Sequence, residues 1–186
     1  IPREIRDHWM KQAIETLASP CAFATFGSVI VNHTRDDDLG DLICTGANDI
    51  ATGNPTLHGE IAAINNCSAV LTEPSGRWGL TGAEVSNAFS KLTLYTTAEP
   101  CPMCAAAIRW AGFRECVFGT SIPTLIEQGW SQIQLRACEV FERSQGIGGS
   151  TTLFESDLDE ETDALFAWQF NPDHASPDGC ERPHNS

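Results

Sequence analysis

The sequence predicts a three-layer α/β/α sandwich around a five-stranded mixed sheet. Two observations carry that expectation. The predicted elements run helix, strand hairpin, then strands alternating with helices, an order that covers a sheet on both faces. And 186 residues, 41% of them apolar, suit one well-filled core without a linker, repeat or low-complexity tract. The domain is expected over 1–170, with 171–186 a loosely ordered tail.

Each element has its own signal. Over 3–18, Ile5, Trp9, Ala13, Ile14 and Leu17 recur at helical spacing, and Ser19-Pro20 ends the helix. AFATFGSVIV turns β-branched, giving a strand over 25–32; NHTRDDDLGD is a solvated hairpin turn, and LICTGAN, 42–48, the second strand. After the loop ATGNPT, an apolar helix runs over 58–72. EPSGRWGLTG is read as a loop, and KLTLYTT, 91–97, as the third strand.

A helix over 101–112 follows, opened by Pro102, where proline is favoured, and ended near Gly112. ECVFGT, 115–120, is the fourth strand. A short helix over 122–129 leads to SQIQL, 131–135, read as the fifth strand. Helices are expected over 136–144 and 158–168, with Phe166, Trp168 and Phe170 weighting the end of the chain.

Composition narrows the partners. Eleven basic residues stand against 25 acidic ones, a net charge of −14. Nucleic-acid binding draws on a basic footprint, and this field repels a long polyanion; Arg109 and Arg114 read as solvated arginines. No apolar run reaches the ~20 residues of a membrane span. A small, neutral or weakly charged ligand is the expected partner.

Eight cysteines are present. If Cys101 and Cys104 bind metal, the other six form three disulfides or remain buried thiols. Three hints favour export over the cytosol. The chain starts at Ile1, which fits removal of a signal peptide and equally fits trimming. Asn32-His33-Thr34 and Asn66-Cys67-Ser68 are glycosylation sequons. Cys180 sits in a polar tail where a tethering disulfide explains it better than a buried thiol.

The chemistry sits at HGE, 58–60, and EPCPMC, 99–104. Residues three apart share one helix face, so Cys101 and Cys104 point the same way from a first turn, where the helix dipole favours thiolate. His58 from another helix start completes three ligands. That set leaves a tetrahedral Zn²⁺, one per chain, with an open position for water, the catalytic pattern. Glu60 stands near enough to move protons as hydroxide, available at about pH 7, attacks an amidine carbon and ammonia leaves.

His58-Gly59-Glu60 with Pro100-Cys101-Pro102-Met103-Cys104 is the H-x-E … P-C-x-x-C signature of zinc nucleobase deaminases. Over 21–135 the chain resembles the cytidine/deoxycytidylate deaminase superfamily, nearest the branch of guanine, guanosine and tRNA adenosine deaminases. GANDIATGNPTLHGEIAAI resembles that branch's asparagine-bearing strand followed by DPTAHAE, and LYTTAEPCPMCAAAIRWA its LY-T-EPCPMC-AAI-WA. The resemblance implies a cytidine deaminase-like fold and substrate contact by Asn48. It further implies a pocket wall at the backbone of Ala98 and Glu99, and Trp110 near the base. It also implies a homodimer and favours a purine-like substrate over a cytosine type.

The sequence departs from the branch in two places. Glycine replaces the alanine of HAE, expected to be tolerated while loosening the helix start by up to ~1 kcal/mol. TSIPTLIEQGW carries no acidic residue before Glu127, where guanine deaminases tend to have a proton-transfer acid. Plainer readings stand beside these. A structural zinc site would take a fourth ligand from His8, His33, His174 or His184. Asn48 as a turn residue, Trp110 as core, and Cys67 and Cys116 as core thiols or disulfides are further ones. A non-catalytic secreted binding protein would have no use for Glu60.

Overall fold

Five strands form one sheet in the order β2-β1-β3-β4-β5, in a computed structural model that describes residues 1–182 apart from 18, 20, 35–38 and 157. The acidic turn Asp36–Asp38, Pro20, and the tail's last residues with His184 lie outside the described residues. The strands are β1 Gly27–Asn32, β2 Asp41–Ala47, β3 Leu92–Ala98, β4 Glu115–Thr120 and β5 Thr152–Glu155. β1 pairs antiparallel with β2 and β3, while β3, β4 and β5 run parallel.

Alternation along the strands sorts the layers. Ile30, Leu94 and Cys116 face one side, against α2 (Gly59–Thr72), α3 (Gly82–Phe89), α4 (Pro102–Ala111) and α6 (Ala137–Arg143). Val29, Val31, Tyr95 and Val117 face the other, against Trp9, Met10 and Ala13 of α1 (Arg3–Glu15). There α7 (Asp159–Ala167) also packs on β4, and α5 (Ile122–Glu127) contacts α7. Every residue of β3 and β4 is buried, as parallel strands covered on both faces must be. The α/β class and mixed five-stranded sheet follow the sequence reading.

Two elements differ from it. Residues 131–135 form no strand, and Ile133 is 64% exposed. The segment 121–130 is too short for a parallel crossover, which takes about a dozen residues or more. The connection runs instead through α5 and α6, and Thr152–Glu155 takes the edge beside β4. The second difference is α3, which starts at Gly82, where the expected loop ends, and fills residues to which no element was assigned. The Glu84 carboxylate accepts from the Thr81 amide and hydroxyl at 2.8 and 2.7 Å, a capping box that starts the helix.

Two disulfides join Cys21 to Cys180 and Cys44 to Cys67. Cys101, Cys104, Cys116 and Cys138 are free, with Cys116 buried in the core and Cys138 exposed. The second bridge ties β2 to α2. The first anchors the segment after α7, where Arg182 Nε also donates to the Trp168 carbonyl at 2.7 Å. No helix among the described residues is long and apolar enough to cross a membrane.

Candidate active site

The site forms where α2 and α4 begin, beside the carboxyl end of β3. In α/β sheets this end of the strands is where ligands bind. His58 is the N-cap of α2 and Cys101 the N-cap of α4. N-cap positions favour Ser, Thr, Asp or Asn, whose side chains bond the first free amides. Neither residue here makes such a bond; both side chains turn to each other.

His58 Nδ1 lies 3.6 Å from Cys101 Sγ and 3.7 Å from Cys104 Sγ. Zinc bonds of ~2.3 Å to sulfur and ~2.0 Å to nitrogen put tetrahedral donors about 3.6 Å apart. The group therefore fits zinc in spacing and in donor type, two thiols and an imidazole. No further His, Cys, Asp or Glu among the described residues joins the group, which leaves one tetrahedral position for a non-protein ligand.

The site's ionisation follows from the same crowding. The Cys101 thiol is pulled down to about 4, chiefly by the hydrogen bond from Cys104 and, against its burial, by His58. Cys104 is pushed up by that bond, by burial and by Glu60. His58 is raised by its bond to Cys101, with burial opposing. Glu60, 5% exposed in the first turn of α2, is pushed up to about 7. Burial is the main cause, and its own amide opposes it. A carboxyl poised there both takes and gives a proton near neutral pH.

Gly59 has a role the sequence reading did not assign. A β-carbon on it would stand 2.6 Å from the Phe26 carbonyl oxygen and 3.3 Å from Ser28 Oγ. Glycine lets the start of α2 press on the backbone entering β1, so it is demanded there and not merely tolerated. Thr97 Oγ1 fixes that backbone, donating to the Thr25 carbonyl at 2.8 Å and accepting from the Gly27 amide at 3.1 Å.

The same Phe26 carbonyl accepts from the Asn48 amide at 2.8 Å. Asn48 thus stands at the end of β2 beside the helix start, and the Asp49 amide bonds the Leu57 carbonyl, closing the loop ahead of His58. Asn48 Oδ1 accepts only a long bond, 3.4 Å, from the Ile50 amide. Ala98, 1% exposed, ends β3 and packs with Leu125, Trp130 and Phe166.

Glu99 is buried and its carboxylate is taken up by Ile122, Arg136 and Ala137. Trp110 is 74% exposed near the far end of α4, about 9 Å along the helix from Cys104. That overturns its reading as core, and within one chain it is not brought to the metal group.

An aromatic cluster beside Ala98 was legible only as unassigned bulk. Phe26 lies tilted against Phe166 at 4.9 Å and edge-to-face with Trp130 at 5.4 Å. Phe23 and Phe170 add to Trp130 at 5.3 and 5.1 Å. The cluster draws together residues from both ends of the chain, which no local pattern announces.

Comparison with known proteins agrees with this geometry. The model of the cytidine and deoxycytidylate deaminase zinc-binding region matches residues 3–120. The chain is 33% identical over 102 residues to a probable cytosine deaminase of Schizosaccharomyces pombe, covering 55% of this chain and 51% of that protein. It is 39% identical over 87 residues to guanine deaminase of Bacillus subtilis, covering 46% and 44%. The chain spans about half the length of these curated relatives. Its fold is similar to that of guanine deaminase from Nitrosomonas europaea. The TM-score is 0.61 at 22% identity, over 85% of this chain and 80% of that one.

Proposed function

The chain belongs to the cytidine and deoxycytidylate deaminase family, and on that premise we propose that it is a zinc-dependent aminohydrolase acting on a small amino-heterocycle. The observation that carries the reading is one cluster: His58, Cys101 and Cys104 at zinc spacing with a buried carboxyl two residues from the histidine. His58, Cys101 and Cys104 hold the ion, which when bound polarises water so that it ionises near neutral pH.

Glu60 then does the proton work. Its carboxylate takes a proton from the attacking water as oxygen bonds to the ring carbon bearing the amino group. It delivers a proton to the departing nitrogen as the C–N bond breaks, so water and an amidine become a ring carbonyl and ammonia. Burial of Glu60 keeps its two protonation states close in energy, which suits a group that must use both.

Asn48 and the backbone at Ala98 orient the ring, and the Phe26, Trp130 and Phe166 cluster packs behind Ala98 as an apolar support. A purine-like base is favoured by the resemblance of 46–64 and 94–111 to the purine branch. A cytosine-type substrate is the second reading, favoured by the identity with the fission-yeast protein. A net charge of −14 disfavours a polynucleotide substrate.

The assembly we propose is a homodimer, supported by Trp110, a large apolar side chain 74% exposed on the site helix α4 itself. Two disulfides support an oxidising compartment, hence secretion. The test is ammonia release by the zinc-loaded protein from guanine, guanosine, adenine, adenosine, cytosine and cytidine, with Glu60→Gln as control. Turnover lost in the variant with zinc retained supports the enzyme. No turnover by zinc-loaded protein on any of these bases or nucleosides moves weight to a binding protein on the same fold.

A further inference from the structure

Glu99 stands two residues before the metal-site Cys101, with only Pro100 between, yet its side chain serves neighbours elsewhere. Its side chain is fully buried. One carboxylate oxygen accepts from the Ala137 amide and Arg136 Nε, each at 2.8 Å. The other accepts from the Ile122 amide at 2.9 Å and lies 2.7 Å from Arg136 Nε. Ile122 and Ala137 are the first residues of α5 and α6. Their amides are free of helix partners and sit at the positive ends of the helices. The Glu99 amide itself donates to the Thr120 carbonyl at 2.8 Å.

The residue is therefore tied twice, by its backbone to the end of β4 and by its carboxylate to two helix starts and a guanidinium. We propose that Glu99 is a positioning residue for the metal centre. Through it, α5, α6 and Arg136 hold the segment Ala98–Cys101 that links β3 to α4, and so set Cys101 Sγ at its distance from His58. The proposal rests on reading the His58, Cys101 and Cys104 group as a zinc site. It gives the residues after 135 a role in that site without any contact to substrate. Only a carboxylate suits the position. A glutamine would turn one NH₂ toward a buried amide or guanidinium N–H and leave a donor without acceptor.

The experiment compares the full chain with Glu99→Gln and Arg136→Gln. Zinc affinity is read by competition with a chromophoric chelator, at a temperature where circular dichroism shows each protein folded. Thermal melting of the zinc-free forms is measured alongside. Groups bonded directly to metal ligands carry about 10- to 100-fold in affinity; Glu99 acts one step further out, through the backbone, so Glu99→Gln is expected to bind zinc ~10-fold more weakly, the low end of that range. Arg136→Gln is expected to follow in the same direction by roughly 3-fold, because the two amide bonds remain. On any substrate found, kcat falls in both while KM stays within about 2-fold.

A lower melting temperature with unchanged zinc affinity makes Glu99 a plain structural brace and overturns the proposal. So does a raised KM with unchanged zinc affinity, which makes it a substrate contact. If Glu99→Gln does not fold, Arg136→Gln decides alone, since its side chain is 37% exposed: unchanged affinity overturns. A wild-type chain that binds no zinc removes the zinc reading and this proposal together. A chain that binds zinc but releases no ammonia removes only the enzymatic reading.

Discussion

The Phe26 carbonyl oxygen reaches to within 2.6 Å of where Gly59 would carry a β-carbon. The strand entrance and the start of α2 are in backbone contact, with His58 and Glu60 on either side of the contact point. Gly59→Ala therefore forces His58 or Phe26 to move. We expect a loss of about 1–3 kcal/mol, the usual cost of overpacking, together with weaker zinc binding. Denaturant unfolding with a zinc titration checks both; an unchanged midpoint would show that the backbone yields freely.

Glu60 gives the metal-stripped protein a pH signature. Its folded pKa, about 7, is raised from 4.5 by burial, so the folded state binds the extra proton between those values. Its stability contribution is full below about pH 4.5 and is lost as pH rises through 7. The total is on the order of 3 kcal/mol. Glu60→Gln, which mimics the protonated form, should flatten that part of the curve. Melting the apo forms from pH 4.5 to 7.5 measures it; parallel curves would mean that Glu60 is solvated.

Metal removal is expected to abolish activity reversibly, with one zinc per chain restored on reconstitution. His58→Ala, Cys101→Ala and Cys104→Ala should each lose bound zinc by elemental analysis, because two remaining protein ligands hold the ion far less well than three. Retention of zinc by any of the three would displace that residue from the ligand set.

Cys44–Cys67 links β2, which leads to Asn48, with α2, which carries His58 and Glu60. Replacing both cysteines by alanine should cost about 2–4 kcal/mol. Non-reduced, unfolded, zinc-free protein should titrate four thiols, Cys101, Cys104, Cys116 and Cys138. Eight thiols would remove both bridges.

The metal group was legible because its chemistry is local: two cysteines on one turn and a histidine two residues from a carboxyl need only helix periodicity to be read. The layers were legible for the same reason, from alternation and helical spacing. Three features were not. SQIQL alternates like a strand, but the crossover length, a property of the whole connection, sends the edge position to Thr152–Glu155. α3 announced itself in Thr81-Gly-Ala-Glu84, a capping signal hidden by the surrounding glycines and proline. Glu99 reads as part of a motif, while its partners Ile122, Arg136 and Ala137 are brought to it only by the fold.

The Cys21–Cys180 bridge closes residues 21–180 into a covalent ring that includes the whole sheet and every residue of the metal group. Topologically, a single backbone cut within the ring releases no fragment while the bridge is oxidised. A protease that nicks a surface loop would leave two chains, each with one new end at the nick, held together through sulfur at Cys21 and Cys180. A cut in the exposed loop at 73–77 would interrupt no strand of the sheet.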